Sequence, residues 1–508
     1  MILETPYMFL SVVVPMVISL IFPFLDLGKK AFATISTVLL LIPLAVVSWL
    51  SYVSGLSKPV LDPVFFAHPT LGNFTMLLDS ISAPLAISIG LVTSMISWYS
   101  LKYMDHRFEE MEEEGHKPAG WGVYYMLYIL FSAAMMGTVL STNLIEFYIF
   151  LEISLLPSFL LIAFYGYGKR ERIALLYLIW THVGALAFLV GTLILGLNVG
   201  TFDYFNPIKT VANLGLGNAL PEAIRFPVFI AILIGLFVKM AVFGVHIWLP
   251  YAHAEAPTPV SALLSPNLIG IAAYAMIRIA YVLFPADFQA LAPYMLGLAL
   301  LTIIYGGLMA LAQDDFKRFL AYSSVSQMGY LLMGIASVTA LGMAGAILHY
   351  AAHAVGKALL FATAGVLITQ LHGLRSLSKM GGLAPKMPLT ASLALIGFMH
   401  ITGVPPSLGL WSEVLILAGV ANFAVKMNQF APVTIFLLIG IGLSTAYSFI
   451  TMRRIFFGKP SEAAEHAQEA GGNLLIPMIV IAAVGLILFL VPQLLIDPMV
   501  KALAGLLG

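Results

Sequence analysis

Seven side chains able to hold or pass a charge stand in stretches otherwise apolar enough to lie in a membrane: Glu152, Lys239, His246, His349, His353, Lys357 and Glu413. A charge at bilayer depth is costly, so such residues face a bundle interior or a water-filled cavity and mark ion or substrate pathways. Lys239 interrupts an apolar run that begins at Phe226, and His246 follows seven residues later, about two helical turns. On a continuous helix both would point to nearly the same face. Glu152 lies in Asn143-Leu-Ile-Glu-Phe-Tyr-Ile-Phe-Leu-Glu-Ile-Ser-Leu-Leu-Pro157, near the bilayer middle at a rise of about 1.5 Å per residue. Burial favours the neutral form of a carboxylate and of an amine, while an opposite charge within about 4–6 Å favours the ionised form. A Glu152/Lys239 pair is therefore a switch. Together both are charged; apart, the lysine is driven to give up its proton. One pKa unit is about 1.4 kcal/mol and a charge crossing 100 mV needs about 2.3 kcal/mol, so a few units match the work of moving ions. A static structural ion pair is the blander alternative.

His349, His353 and Lys357 stand at i, i+4 and i+8, a stripe on one helix face. Histidine titrates near neutral pH, which favours a proton relay. Two histidines at i, i+4 can also bind zinc, and an intramembrane metal-dependent hydrolase using His349 and His353 is the enzymatic alternative. Against it, no glutamate follows the first histidine and the chain has no cysteine. Glu413 follows Thr402-Gly-Val-Pro-Pro-Ser-Leu-Gly409, a mid-run break where prolines remove helix donors. His182 and His400 read equally well as hydrogen-bonded packing residues. Glu146, Asp79, His253 and Glu255 lie near span ends or in a break, where capping or water contact explains them as well as function does.

The elements that must position these groups are membrane helices. At 508 residues, 61% hydrophobic and 9% charged with mean hydropathy +0.99, the chain is far from a soluble domain, whose charged share is about 25%. Runs of about 20 apolar residues give an all-α polytopic protein of about fourteen spans: 8–26, 31–54, 76–101, 121–141, 143–166, 173–198, 226–249, 260–284, 291–313, 319–338, 341–371, 387–422, 431–452 and 473–493. The seventh is cut by Pro250, Pro257 and Pro259, the twelfth by Pro405 and Pro406. Broken helices five spans apart imply two inverted five-helix repeats, spans 4–8 and 9–13. The expected units are 1–120 (three helices and a loop), 121–284 (first repeat), 291–452 (second repeat) and 453–508 (a loop and the last helix). Loops after odd-numbered spans hold 16 of the 24 lysines and arginines, loops after even-numbered spans and the C-terminus five, and Lys239, Arg278 and Lys357 lie inside spans. That positive-inside bias puts the odd loops in the cytoplasm and both termini outside the cell membrane. The first apolar run follows an acidic start and lacks a small-residue cleavage site, so it reads as a retained helix. Zero net charge gives no sign of a nucleic-acid partner. Without cysteine there is no disulfide, thiolate metal site or cysteine-ligated cluster, so no cofactor or metal is expected on this chain and any redox chemistry belongs elsewhere. The charged stretches 105–117 and 461–470 read as solvated loops, or as docking surfaces for another subunit.

Several motifs carry a resemblance: Phe150-Leu-Glu-Ile-Ser-Leu-Leu-Pro157, Val238-Lys239 through Trp248-Leu-Pro250, Ala252-His-Ala-Glu-Ala-Pro-Thr258, Asp315-Phe-Lys-Arg-Phe-Leu-Ala-Tyr-Ser-Ser-Val-Ser-Gln-Met-Gly329 and the His349/His353 helix. Together they resemble the antiporter-like, proton-translocating subunits of respiratory complex I and their relatives in Mrp-type antiporters and ferredoxin-linked membrane-bound hydrogenases, over most of spans 3–13. The resemblance implies that Glu152 and Lys239 form the ion pair of a first half-channel, that His349 and His353 belong to a central polar axis, and that Glu413 ends a second half-channel. Several relatives have lysine at that last position; the complex I subunit with glutamate is the one this chain most resembles. It implies a pumping subunit of a redox-driven, multisubunit membrane complex that moves H+, or Na+ in exchange, with a subunit of an Mrp-type Na+/H+ antiporter as the alternative. Two positions depart from the pattern. Many relatives carry lysine or histidine in the eighth span where this chain has Gly270-Ile271, and aspartate after Trp-Leu-Pro where it has Tyr251.

Overall fold

The computed structural model describes residues 1–427 and 430–507. Its helices are α1 (Tyr7–Ser19), α2 (Lys29–Ser54), α3 (Ala83–Glu113), α4 (Trp121–Leu140), α5 (Leu144–Tyr165), α6 (Arg170–Val199), α7 (Glu222–Met240), α8 (Trp248–Glu255), α9 (Thr258–Leu263), α10 (Ile269–Ala275), α11 (Pro285–Leu311), α12 (Phe316–Ala336), α13 (Ala340–Gln370), α14 (Pro388–Thr402), α15 (Leu408–Lys426), α16 (Phe430–Phe456), α17 (Glu462–His466), α18 (Gly472–Leu490) and α19 (Gln493–Leu507). Thirteen helical stretches are long and apolar enough to cross a membrane. α12 has the length as well, but its serines, Gln327, Lys317 and Arg318 make it less apolar. Among the described residues the only strands form three two-stranded antiparallel sheets in the loops, 60–61 with 77–78, 66–68 with 72–74 and 205–206 with 211–212. Helices dominate because a backbone in hydrocarbon must satisfy its own hydrogen bonds.

Burial locates the axis of the bundle. The apolar windows of α13 and of the span Thr258–Tyr281 are 100% buried, against 33% for α6 and 28% for α16, so the first two are central and the last two peripheral. The central span is α9 and α10 joined by a π-helical turn at Leu264–Leu268 and continued by another at Met276–Tyr281; such turns are frequent at functional sites. Packing repeats along the chain. α4 packs on α5, α5 on α6, α6 on α7 and α8, and α10 on α4; correspondingly α11 packs on α12, α12 on α13, α13 on α14 and α15, and α16 on α11. The two sets thus share a contact pattern, each with one broken helix.

Helix starts are fixed locally. Asn143 accepts from the Ile145 and Glu146 N–H groups while the Glu146 carboxylate reaches back to the Thr142 N–H at 3.2 Å, so Glu146 caps α5. Glu469, from a stretch expected to be a solvated loop, accepts from the Leu389 and Thr390 N–H groups and the Thr390 hydroxyl, capping α14. The other charged stretch is not a loop either. α3 runs on to Glu113, and Arg107 is buried, donating to the Tyr165 and Gly166 carbonyls.

The first break lies nine residues earlier than the prolines suggest. α7 ends at Met240, Ala241 is left-handed at φ 57°, Gly244 follows at φ 91°, and helix resumes at Trp248. Pro250 sits in the first turn of α8, where its missing N–H is no loss. Lys239 and His246 therefore do not share a helix face; the first ends α7 and the second is in the break. What holds the break is tertiary. The Trp180 indole donates to the Val245 carbonyl (2.9 Å), the Trp248 indole to the Val238 carbonyl (3.0 Å), and the Thr302 hydroxyl accepts from the Phe243 N–H (3.2 Å). Non-helical backbone at membrane depth persists only with such partners. The second break falls between Thr402 and Leu408, as the sequence suggests.

Candidate functional site

α5, α6 and α7 position the first group of charges. Glu152 accepts from Nδ1 of His182 on α6 at 3.0 Å when that imidazole is protonated there. The Lys239 ammonium is buried, with no carboxylate within 4 Å among the described residues. Glu152 makes its direct contact with the neighbouring helix, while Lys239, at the last turn of α7, remains within electrostatic reach of Glu152. His182, read as an equally plausible packing residue, is instead the partner of Glu152. His400 does pack, its Nδ1 lying 2.9 Å from the Ile396 carbonyl of its own helix. His246 stacks on Phe243 and Tyr305, ring centroids 6.0 and 4.8 Å away, with Nδ1 buried and unpartnered.

α12, α13 and α15 position the second group, and here hydrogen bonds are continuous. The His349 Nε2 lies 2.9 Å from the Gln327 Oε1 and its Nδ1 2.9 Å from the Ser412 hydroxyl. The other end of Gln327 donates to the Tyr447 hydroxyl at 3.1 Å. Ser412 is followed by Glu413, which is buried, with one carboxylate oxygen unpartnered and the other against Gly403 of the break. Gly403 is left-handed at φ 64°, and a side chain there would collide with that carboxylate.

This arrangement accommodates both charge states of His349. Gln327 offers a carbonyl to Nε2, which must carry hydrogen in either state. When Nδ1 is bare, the Ser412 hydroxyl donates to it. When Nδ1 is protonated, Ser412 accepts from it and donates to the Gly409 carbonyl, 2.8 Å away. Rotation of one hydroxyl thus follows the gain or loss of a proton, with no backbone movement. Both nitrogens are occupied in these contacts, which leaves no lone pair directed at a metal.

Further along α13, Lys357 donates to the Leu320 carbonyl at 3.0 Å and to the Ser323 hydroxyl. Ser324, beside it, shares a 2.7 Å hydrogen bond with Ser265 in the π turn of the central span. His353 is fully buried between Lys357 and His349 on α13, both nitrogens unpartnered, beside the Pro266 carbonyl of that turn. The departure at Gly270 has a steric cause: the Tyr350 ring fills the space where a side chain would project. The central span contributes Ser265 instead, and Asn267, buried with its amide unpartnered. Tyr251, at the other departure, lies under the Arg318 guanidinium, 5.7 Å from its ring centre.

Gln327, Ser323, Ser412, Tyr447 and Asn267 were not singled out by sequence reasoning. A signal existed for two of them. Ser323, Ser324 and Gln327 form an i, i+1, i+4 polar stripe in a span, which is as unusual as a lone charge. Ser412, Tyr447 and Asn267 are ordinary until packing aims them at a partner. Three residues set aside as span-end groups have structural roles: Glu146 caps α5, Asp79 holds the turn that leads into α3 through the Ile81 and Ser82 N–H groups and pairs with Arg278, and the Glu255 carbonyl accepts from the Tyr167 N–H at 2.8 Å.

Residues 141–442 match the family described as NADH:quinone oxidoreductase/Mrp antiporter, TM. NAD(P)H-quinone oxidoreductase chain 4-2 of Synechocystis is 34% identical over 416 residues, 81% of this chain and 70% of that one. A chain 4 of Trichodesmium erythraeum is 32% identical over 460 residues, 89% and 78% of the two chains. Among solved structures, a chain of respiratory complex I from Thermus thermophilus superposes with a TM-score of 0.82 at 24% identity, covering 99% of this chain and 100% of that one. A chain of the Mrp complex from a Dietzia species gives 0.84 at 22%, covering 99% and 97%. With its broken helices, buried charges and these relatives, the chain belongs to the NADH:quinone oxidoreductase/Mrp antiporter family of multi-pass membrane subunits and is a complex I-type antiporter-like subunit.

Proposed function

We propose that the chain translocates protons, or exchanges them for sodium, across the cell membrane as one subunit of a redox-driven complex. The observation that carries this reading is the hydrogen-bonded line from Gln327 through His349 to Ser412, the residue beside Glu413, set against a broken helix and able to change charge by rotating one hydroxyl. In the proposal, Glu152 with His182, Lys239 and His246 form one half-channel. Lys357, His353 and His349 form the axis, and Glu413 the terminal group of the other half. Lys239 has a route to neutrality and back when Glu152 leaves His182 and approaches it, the switch read from the sequence with one more partner. Each position can hold a proton, and none holds an electron, so the driving force enters through other subunits.

A partner is also suggested by the side of the bundle. The Glu152/His182 pair is 24% and 44% exposed, amid exposed Ile149, Leu156, Ile179 and Val183. An ionic pair facing lipid at that depth is costly, so a neighbouring subunit covering α5 and α6 removes the cost. A complex I-like respiratory complex, such as a ferredoxin-linked membrane-bound hydrogenase, is the proposed parent; the Mrp-type antiporter is the second reading, in keeping with the equally close superposition on the Mrp chain. Co-purification of redox subunits with a tagged chain separates the two. The function itself is tested in vesicles holding the purified complex: Glu152→Gln and Lys239→Ala should each abolish ion transport with assembly intact, and normal transport in both would refute it.

A further inference from the structure

The face with most basic loops carries a cavity of about 440 Å3 lined by Glu110, Glu113, Glu114, Tyr167, Ile368, Gly373 and Arg375. Below it run three hydroxyls in series. The Tyr167 hydroxyl is 2.7 Å from that of Tyr103, and the Thr258 hydroxyl donates to Tyr103 at 2.9 Å. Tyr103 and Thr258 are fully buried. Thr258 begins the central span, so the series connects the surface cavity to the middle of the bundle without crossing an apolar layer.

At its inner end stand groups that nothing above has used. His253, five residues before Thr258, is fully buried with both ring nitrogens unpartnered. It lies within electrostatic reach of Lys317 and Lys357. Lys317 is fully buried in α12, its ammonium donating to the Ala256 carbonyl and 5.3 Å from the Tyr167 ring centre. A buried lysine and an unpartnered buried histidine at the end of a hydroxyl series are expensive unless they take part in function. Arg107 holds the outer end in place, its guanidinium 4.0 Å from the centre of the Tyr167 ring.

We propose that Tyr167, Tyr103 and Thr258 form the proton entrance from the basic face, conducting from the Glu110/Glu114 mouth to His253 and thence to Lys357. This rests on the transport reading above. In each passage the oxygen of Tyr167 accepts a proton from water in the mouth and gives its own to Tyr103, which gives its own to Thr258, which gives its own to an intervening water that protonates a bare His253 nitrogen, the imidazole having no direct hydrogen-bond partner. One proton enters, one reaches the imidazole, and the three hydroxyls end neutral, needing only to rotate back. The carboxylates of the mouth, two of them paired with Arg107, hold water and cations at its entrance.

The test uses the purified complex in vesicles with an internal pH dye. Tyr167→Phe and Tyr103→Phe keep the rings, and so the contact of Tyr167 with Arg107 and the stacking of Tyr103 on Tyr99, while removing only the hydroxyl. Each is expected to slow proton uptake about tenfold or more, the scale of a lost proton-transfer group. Thr258→Val should do the same, and Thr258→Ser should recover the uptake that Val loses, a rescue no packing role explains. Normal uptake in Tyr103→Phe and Thr258→Val overturns the entrance while leaving the transport reading standing. If the unaltered complex takes up no protons, the transport reading itself fails. Should Tyr167→Phe not assemble, the other two positions decide.

Discussion

At the scale of single residues, the proposed function rests on side chains that can hold either of two hydrogen-bond arrangements. His349 is the best example, since Gln327 fixes one nitrogen and Ser412 adapts to the other. Ser412→Ala removes the adaptable partner and leaves Nδ1 facing a methyl group, at a cost of about 1–3 kcal/mol for an unsatisfied buried polar atom. Proton transport by Ser412→Ala is expected to fall about tenfold or more, with assembly unchanged, while Ser412→Thr, which keeps the hydroxyl, retains most of it. Equal transport in the two, read by the same vesicle dye, would mean that Ser412 only packs. The charged residues of this site were legible in the sequence because a Lys or Glu in an apolar run is conspicuous. Their partners were not. Glu152 reads naturally with Lys239, yet its contact is His182, 30 residues away on the adjoining helix, because which carboxylate meets which cation depends on the rotation of three helices that no spacing encodes.

At the scale of elements, fourteen apolar runs could be read from length and hydropathy, since each must satisfy its backbone internally, and the structure has a helix or a broken pair of helices for every one. The second break was legible for the same kind of local reason: Pro405 and Pro406 cannot continue a helix. The first was misplaced because Ala241–Ile247 contains no proline. It opens where Trp180, Trp248 and Thr302 supply hydrogen bonds from elsewhere, a tertiary cause invisible in a local pattern. Trp180→Phe tests that cause, keeping the ring but orphaning the Val245 carbonyl. It should lower stability in detergent by about 1–3 kcal/mol, read as a shift in the thermal unfolding midpoint, and slow transport. An unchanged midpoint would show that the break holds itself.

At the scale of the whole molecule, two sets of five spans share one packing pattern, the central span in the first set and α13 in the second each holding a fully buried apolar window, and each set is interrupted by one break. The repeat was legible from the matching breaks alone, without residue identity between the copies. The perimeter was less so: the pair at Glu152 and His182 opens sideways, a feature that composition cannot show. The central claim is that a charge crosses this molecule along its buried polar line and leaves through Glu413. Proton transport by the purified complex in vesicles, with Glu413→Gln beside Glu413→Asp, tests it most directly. The first keeps the size and most hydrogen bonding but cannot titrate, so transport should stop or fall sharply while assembly is intact; the second keeps the acid on a shorter arm and should retain part of it. Near-normal transport in both would contradict the account.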